Sequence, residues 1–453
     1  MSDQQAKNGI RLQGDLEATY ITLIDSALAR AKAGGATQAA IGVHRDVGVS
    51  VTARLRDVET IEYQDDRGLG VTVYRGHCKG TASTSDFSDD AIAATIDKAL
   101  YIATQTGADT AAGLADATRM ATEFPDLQLD HPWPQDVDAL RDMALASEAA
   151  ALDADPVVTN SEGASVSSHR SISLYGNSHG FVATQFRSSH SIACSVIGGS
   201  GDNMQRDYEF TTARDPAALL QPEEVGIRAA KAVAARMSPR KLDTQTAPVV
   251  FRADVARTIF SHLMSAISGS AQYRKSSFLL DAVGQKIFAG NVNIEESPFL
   301  PAAAASTSYD NEGVATRERS IVDSGVLNGL LLSSYSARKL GLETTGNAGG
   351  VHNAVVTPTA GGLSEILATM SDGFLVTELM GQGVNLVTGD YSRGAAGFWV
   401  ENGAIAYPVS EVTIAGNLKD MFQSLSAIGD DVDSRGVIRT GSLLIDGMTI
   451  AGN

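Results

Sequence analysis

Short runs in which apolar and polar residues alternate constrain the fold of this chain most strongly. Three of them follow one another closely: VGVSVTARL (47–55), TIEYQDDRG (60–68) and GVTVYRG (70–76). Alternation with a period of two places one face of a strand on a core and the other face in solvent. Asp and Gly end these runs, and 44 glycines against 12 prolines supply turns throughout. The pattern predicts antiparallel strands joined by tight turns.

Helical periodicity separates these β-rich stretches. We expect Asp15 to cap a first helix, which Gly34 and Gly35 end. Pro222 suits the first position of another helix, because its missing N–H would have no partner there. The segments predicted as helices before residue 240 are 16–33, DDAIAATIDKALYIATQT (89–106), DVDALRDMALASEAAALDAD (136–155) and PEEVGIRAAKAVAARM (222–237).

Beyond Pro248 the sequence predicts a larger β-rich region with few helices. One helix is expected at ADVARTIFSHLMSAISG (253–269), and Asn402-Gly403 is typical of a type I′ hairpin turn. Runs of strands with occasional helices favour an α+β fold over a doubly wound sheet. The predicted architecture is an N-terminal α/β portion with an antiparallel meander, followed by a C-terminal β-rich domain, barrel- or sandwich-like.

Composition breaks suggest three regions: 1–106, 107–241 and 242–453. Pro125, Pro132 and Pro134 mark a linker candidate in the second region, and SPRKLDTQTAP (238–248) is the clearest boundary.

Composition narrows the class of protein. The chain carries 35 basic and 53 acidic residues, a net charge of −18 spread evenly over both halves. A surface of this sign repels phosphate backbones, so we expect no direct nucleic-acid partner. No apolar run reaches the roughly 18 residues of a membrane span. Only two cysteines and no secretory leader pattern favour the cytoplasm.

Local catalytic and binding motifs are missing from the sequence. It contains no GxxxxGK[ST], no GxSxG and no HExxH, and Leu386 replaces the third glycine that a dinucleotide fingerprint would need. His169, His179 and His190 lie in one predicted sheet region and could approach one another. No acidic ligand pattern accompanies them, so we interpret them as structural or exposed.

Three glycine-rich blocks carry a resemblance to a known family. ERSIVDSGVLNGLLLSSYSARKLG (318–341), LETTGNAGGVHN (342–353) and MGQGVNLVTGDYSRGAAGFWVENGAIAYPVSEVTIAGNL (380–418) closely resemble the C-terminal region of the TldD/PmbA family, also in order and spacing. The match is strong over residues 242–453, and the earlier regions agree in layout. Within the family, the chain resembles the PmbA (TldE) type.

The resemblance implies a cytoplasmic peptidase complex that acts on peptides or unfolded proteins. TldD-type chains of the family hold zinc with an HExxxH helix and a C-terminal cysteine, and PmbA-type chains pair with them. The expected partner is therefore a TldD-type subunit that brings the zinc, in a heterodimer. A homodimer is possible for the chain alone. The family's link to DNA gyrase modulation leaves a non-proteolytic regulator open as an alternative.

The resemblance places the metal motif on the helix predicted at 253–269. Ser261, His262 and Ala266 fall at the positions of the motif's first His, Glu and second His. The stretch RTGSLLIDGMTIAGN (439–453) contains no cysteine. A zinc hydrolase needs about three protein ligands and a base for the water. We therefore expect no metal in this chain and no catalytic residue at these positions.

Two sets of polar residues remain as site candidates. His262 shares a helix face with Val255 and Ile259, which favours a hydrogen-bonded core histidine over a ligand. The second set stands beside glycines that could admit an extended peptide or serve bulges of a curved sheet. Its members, the substrate-binding candidates, are Thr388, Asp390, Tyr391 and Arg393. Asp390 would also be the main residue of an autonomous peptidase with a non-zincin site, the remaining alternative.

Overall fold

The computed structural model describes residues 15–452, which divide into two compact units. The first unit runs to Ala234 and includes the short segment Tyr309–Ala315. The second unit comprises Ala235–Ser308 and Thr316 onward. The three regions expected from the sequence, 1–106, 107–241 and 242–453, stay a prediction.

The first unit is a six-stranded antiparallel sheet with helices. The strand order is β3-β2-β1-β4-β5-β6. Its strands are β1 (Gln38–Arg54), β2 (Asp57–Arg75), β3 (Cys78–Thr84), β4 (Val158–Asn177), β5 (Val182–Gly198) and β6 (Gln205–Ala213). Its helices are α1 (Leu16–Ala33), α2 (Asp89–Gln105), α3 (Val137–Ala154) and α4 (Pro222–Ala235, of which Ala235 is counted in the second unit).

The helices cover the sheet in two pairs. Side chains of α1 and α2 share a core with β1, β2 and β4, centred on Ile24, Ile41 and Ile96. Side chains of α3 and α4 share a second core with other parts of β1, β4 and β5, centred on Val51 and Val225. The alternation seen in the sequence therefore selects the face of the sheet on which the helices pack.

Three local predictions for the first unit need correction. The runs 60–68 and 70–76 are not separate strands, because β2 spans the first run and continues through residue 75 of the second. Residues 60–67 are exposed on both faces of that strand, so their alternation does not mark a core face.

Asp15 precedes α1, but its side chain makes no capping hydrogen bond. Its carbonyl accepts from both Thr19 N and Thr19 Oγ1. The proline-bearing linker candidate is an extended segment whose Leu127 and Leu129 side chains are buried. It belongs wholly to the first unit. The prolines predicted an irregular segment but gave no information about the burial of its apolar side chains.

A buried carboxylate holds the turn between β1 and β2. Leu55 and Arg56 both have positive φ, at 53° and 65°, although neither is glycine. The Glu148 carboxylate of α3 is fully buried and accepts from Leu55 N at 2.7 Å and from Arg56 N at 2.8 Å. These hydrogen bonds offset the cost of left-handed backbone at residues with a Cβ.

The second unit contains a closed barrel of five strands, in the order β14-β13-β12-β7-β17 and back to β14. Only the β7–β12 pair is parallel. The barrel strands are β7 (Gln245–Phe251), β12 (Asp372–Met380), β13 (Asp390–Glu401), β14 (Ala404–Asn417) and β17 (Leu443–Ala451), with β15 (Leu425–Ile428) added on β17. The turn between β13 and β14 has positive φ at Asn402 and Gly403, as predicted for type I′.

A smaller five-stranded sheet and five helices complete the described part of the second unit. The sheet order is β10-β9-β8-β11-β16. Its strands are β8 (Ile294–Glu296), β9 (Arg319–Asp323), β10 (Val326–Leu327), β11 (Ala354–Val356) and β16 (Ile438–Arg439). The helices are α5 (Ala253–Ala266), α6 (Gly269–Tyr273), α7 (Ser334–Leu340), α8 (Leu363–Ala368) and α9 (Leu418–Gln423). This mixture confirms the predicted α+β class.

A buried ion pair fastens the glycine-rich block 342–353 to the smaller sheet. Glu296 is 2% exposed and accepts from Arg319 Nε at 2.7 Å across the β8–β9 pair. Its other oxygen accepts from Asn347 Nδ2 at 2.6 Å and from the backbone N–H of His352 at 2.7 Å. Arg319 also donates to Asn347 Oδ1 at 2.9 Å. The carboxylate is therefore fully hydrogen-bonded, as a buried charge must be.

None of the helices described between residues 15 and 452 combines the length and hydropathy needed to cross a bilayer.

Removing Arg319 should destabilise the second unit strongly. We expect Arg319→Met to lower the free energy of unfolding by about 3–5 kcal/mol, because it leaves the buried Glu296 carboxylate without its cation. The matched control is Lys241→Met, which breaks the exposed pair with Glu411 and should cost less than about 1 kcal/mol. Urea unfolding of both variants measures the difference, and equal losses would contradict the assigned role.

Candidate functional site

Helix α5 carries the residues predicted to stand in for a metal motif. Ala256, Ile259, Phe260 and Leu263 form its apolar face and are completely buried in the core that also contains barrel side chains. The helix is therefore fixed by packing along its whole length, independently of any ligand.

The motif positions on α5 differ in their surroundings. Ser261 is exposed, and Ala266 is completely buried and has no side-chain donor atom. His262 is half-buried and packs edge-on against Tyr391 of β13, with ring centroids 6.1 Å apart and an interplanar angle of 74°. Of the three, only His262 combines a donor atom with a buried polar neighbour.

The prediction of a hydrogen-bonded core histidine was wrong for one ring atom. Nε2 of His262 is buried and has no hydrogen-bond partner among the described residues. Helical spacing placed the ring on the packed side of α5, but spacing carries no information about the acceptors that strand β13 presents there.

Two polar side-chain atoms of β13 are also buried without a hydrogen-bond partner among the described residues. Tyr391 is 1% exposed, and its hydroxyl has no hydrogen-bond partner in the described structure. Nε of Arg393 is likewise buried and unpartnered within residues 15–452. Tyr391 and Arg393 are two residues apart on one strand, so they lie on the same face of the sheet. We call His262, Tyr391 and Arg393 the α5–β13 cluster.

Burial and one positive charge set the electrostatics of the α5–β13 cluster. Burial lowers the pKa of His262, and the Arg393 guanidinium lowers it further, so the ring is neutral at pH 7. Burial raises the pKa of Tyr391, and Arg393 offsets part of that rise. The guanidinium and the Tyr391 hydroxyl attract each other, but no hydrogen bond of normal geometry joins them. The cluster thus combines one cation with two neutral polar groups.

Thr388 and Asp390 stand apart from the cluster and close a turn. Thr388 Oγ1 donates to Asp390 Oδ2 at 2.6 Å, and Asn417 Nδ2 donates to Asp390 Oδ1 at 3.2 Å. Gly389 between them has a φ of 86° and donates its N–H to Asn385 O at 2.7 Å. Asp390 therefore serves the local fold, which gives the non-zincin peptidase alternative no support.

The glycines of block 380–418 serve the chain's own backbone. Ser392 N donates to Gly383 O at 2.7 Å, and Asn385 N donates to Asp390 O at 2.9 Å. A Cβ on Gly383 would lie 1.7 Å from Ser392 O, so only glycine permits this approach. The segment 383–385 thus occupies the backbone groups of β13 that an extended peptide could have used. The geometry favours the structural interpretation of these glycines.

The three candidate histidines His169, His179 and His190 do not converge. His190 is fully buried and bonded to His131 O at 2.8 Å and to Ser168 Oγ at 3.0 Å. His169 is opposite Ser189 and interacts with Asp46 at 3.3 Å, on the other face of the sheet. His179 is exposed at a hairpin tip. Within residues 15–452 no group of three or more His, Cys, Asp or Glu residues is arranged to hold a metal ion.

A groove of about 830 Å³ in the first unit was missed by sequence reasoning. Gly42 and Gly70 are cross-strand partners, and a Cβ on either would meet nothing within 4 Å. His44, Ser83 and Ser173 supply polar groups at its lining. The signal was glycine at alternate positions of paired strands, which removes side chains from one face of a sheet.

Comparison with solved structures defines the class of fold. The chain superposes on a proposed modulator of DNA gyrase from Bacteroides thetaiotaomicron with a TM-score of 0.91 and 27% identity, covering 96% of this chain and 99% of that one. TldE from Thermococcus kodakarensis has the same fold, with a TM-score of 0.79 and 20% identity over 95% of this chain and 100% of that one.

Sequence comparison then identifies the family. Residues 39–103, 130–237 and 244–452 match domain 1, the central domain and the C-terminal domain of the PmbA/TldA metallopeptidases. The metalloprotease PmbA homolog of Haemophilus influenzae is 49% identical over 423 residues, 93% of each chain. Metalloprotease PmbA of Escherichia coli O157:H7 is 47% identical over 437 residues, 96% of each. The chain belongs to the PmbA/TldD family, as its glycine-rich blocks indicated.

Replacing Gly389 tests the turn formed with Asp390. We expect Gly389→Ala to lower the free energy of unfolding by about 1–2 kcal/mol for left-handed backbone, plus a contact cost. That contact arises because the new Cβ would lie 3.0 Å from Asn417 Oδ1. Gly381→Ala is the control, since Gly381 has a φ of 74° but open space around its Cβ position. Chemical unfolding should rank Gly389→Ala as the more destabilised variant, and the reverse order would refute the contact.

His262 should make stability depend on pH. Folding lowers the pKa of His262. As the pH falls, the unfolded chain therefore protonates this ring at a higher pH than the folded chain does. Stability from the neutral ring is therefore complete above the unfolded pKa of about 6.5 and is lost as the pH falls below it. We expect His262→Phe to lose less free energy of unfolding than wild type between about pH 7.5 and pH 5. Parallel pH curves in chemical unfolding would contradict this assignment.

Proposed function

We propose that this chain is the PmbA/TldE-type subunit of a two-subunit metallopeptidase that processes peptides and unfolded proteins in the cytoplasm. A TldD-type subunit brings the zinc and performs the hydrolysis. This chain stabilises that partner and shapes the space in which substrate binds. It contains no zinc of its own. When the partner is absent, a second copy of this chain takes the partner's place in a homodimer.

The residues at the degenerate motif positions carry the proposal. Ala266 offers no donor atom, and Ser261 offers one exposed hydroxyl. The remaining imidazole, His262, lies beside the Arg393 guanidinium, whose charge opposes the approach of a metal cation. A zinc site with a water-activating base needs more donors than this set provides.

The names of relatives support the peptidase context. Relatives at 47–49% identity are called metalloprotease PmbA or metalloprotease PmbA homolog. This chain aligns with them over 93–96% of their length. More distant relatives are called metalloprotease TldD homologs, so the family includes both types of chain. Two types within one family are what an assembly of unlike subunits requires.

Packing explains why α5 persists without ligands. Its apolar face fills the core shared with the barrel, so losing the helix would expose side chains such as Ile259 and Leu263. Fully burying one such side chain stabilises by about 1.5–3 kcal/mol. The helix is retained for stability and for the surface that it helps to form, whichever chain holds the metal.

Reconstitution with a TldD-type chain tests the proposal. We expect the purified chain alone to contain no stoichiometric zinc and to leave an unfolded peptide substrate intact. The two chains co-expressed should purify together, contain zinc and cleave the substrate. Metal analysis and a peptide-cleavage assay on each chain and on the complex give these results.

A paired substitution sharpens the assignment of zinc. Ser261→Ala in this chain should leave the zinc content and cleavage rate of the complex unchanged, since Ser261 is not a ligand here. Replacing the first motif histidine of the TldD-type chain should abolish both. Zinc bound tightly by this chain alone, together with cleavage by it, would overturn the proposal.

A further inference from the structure

We propose that the α5–β13 cluster binds a carboxylate, and that its carrier is the C-terminal end of a peptide. The carboxylate site follows from the geometry of His262, Tyr391 and Arg393. Only the choice of a peptide as carrier rests on the function proposed above.

Unpartnered polar atoms mark the site. The atoms are His262 Nε2, Tyr391 OH and Arg393 Nε, which are buried without hydrogen-bond partners in the described structure. A buried polar group left without a partner costs about 1–3 kcal/mol, and such groups are rare in folded proteins. Three such atoms, one on α5 and two on β13, indicate a binding site for a polar ligand rather than isolated packing defects.

Charge selects an anion for this place. Arg393 supplies a permanent positive charge, and no carboxylate in the described residues pairs with it. A guanidinium presents donors in a fork that matches the two oxygens of a carboxylate. The Tyr391 hydroxyl and the neutral His262 ring can each donate one further hydrogen bond. A metal cation would be repelled by the same guanidinium.

A monoanion fits better than a phosphate. The cluster holds one permanent positive charge, and the whole chain carries a net charge of −18, which disfavours the approach of multiply charged anions. A single carboxylate is neutralised by one guanidinium and completed by the two neutral donors.

The surrounding backbone favours a chain end over the middle of a peptide. Segment 383–385 already pairs with the 390–392 stretch of β13, so a peptide cannot lie along that stretch as an added strand. Arg393 is only half-buried, whereas Tyr391 is fully buried, so the cluster reaches solvent on the Arg393 side. A C-terminus that bound end-on beside Arg393 would not compete for the backbone groups of residues 390–392.

Calorimetric titration of the full-length chain tests the site with defined probes. The probes are tetra-alanine with a free C-terminus, tetra-alanine amide, and an N-acetylated Ala-Asp-Ala amide. We expect the free acid to bind and both amides to bind at least about tenfold more weakly. Binding of the aspartate peptide as tight as the free acid overturns a peptide end as the carrier. Equal binding of the tetra-alanine amide overturns the carboxylate site.

Three variants separate ligand binding from folding. Arg393→Gln should weaken binding of the free acid by at least about tenfold. Tyr391→Phe should weaken it several-fold while leaving the unfolding midpoint unchanged or higher, because it removes a hydroxyl that has no partner in the free chain. Lys419→Gln, which removes an exposed charge of the same unit, should bind as wild type. Wild-type affinity in both Arg393→Gln and Tyr391→Phe would overturn the proposal.

A spectroscopic readout places the ligand. The ring protons of His262 should shift in the NMR spectrum on adding tetra-alanine, and the same addition to Arg393→Gln should give no shift at equal concentration. Absence of a shift in wild type under saturating ligand would also overturn the site. Because these measurements use this chain alone, they can fail while a reconstituted complex still cleaves peptides, and they can succeed while it does not.

Discussion

The buried carboxylate of Glu296 is the constraint on which much of the second unit depends. It binds a cation on the neighbouring strand and two groups of the glycine-rich block 342–353 at once. Glycines at positive φ, including Gly346 and Gly350, let the block wrap around this carboxylate. This block, one of the three that carry the family resemblance, is therefore an anchoring loop whose polar residues hydrogen-bond a buried charge.

Packing in the core that also contains barrel side chains holds α5 in place without any ligand. Apolar packing fixes α5 through residues such as Ile259 and Leu263, so its remaining positions are free to vary without loss of the fold. Where the family resemblance implies metal ligands in another chain, this chain presents His262 beside Tyr391 and Arg393. A permanent guanidinium supplies positive charge without depending on a metal supply, but it cannot activate water as zinc does.

Local features were predictable from the sequence, and long-range ones were not. Periodicity identified α2 and α5, and Asn402-Gly403 identified its hairpin, because each depends on neighbours in sequence. The burial of Leu127 and the missing partner of His262 depend on residues far away along the chain. The candidates around residue 390 likewise divided only in three dimensions: Thr388 and Asp390 close a turn, whereas Tyr391 and Arg393 face α5. Alternation along a strand could have placed Asp390 on the opposite face from Tyr391 and Arg393. It could not have identified the residues that each face contacts.

Closure of the barrel has a consequence for how the chain acquires its structure. Strand β7 pairs with β17, joining Gln245 to Ile450 across about 200 residues of intervening sequence. The first unit's sheet, by contrast, is built almost entirely from strands that follow one another and can pair as they emerge from the ribosome. During synthesis the second unit must therefore wait with open strand edges until β17 has been made. During that interval, rather than in the finished barrel, unpaired strand edges leave the second unit most open to misassembly.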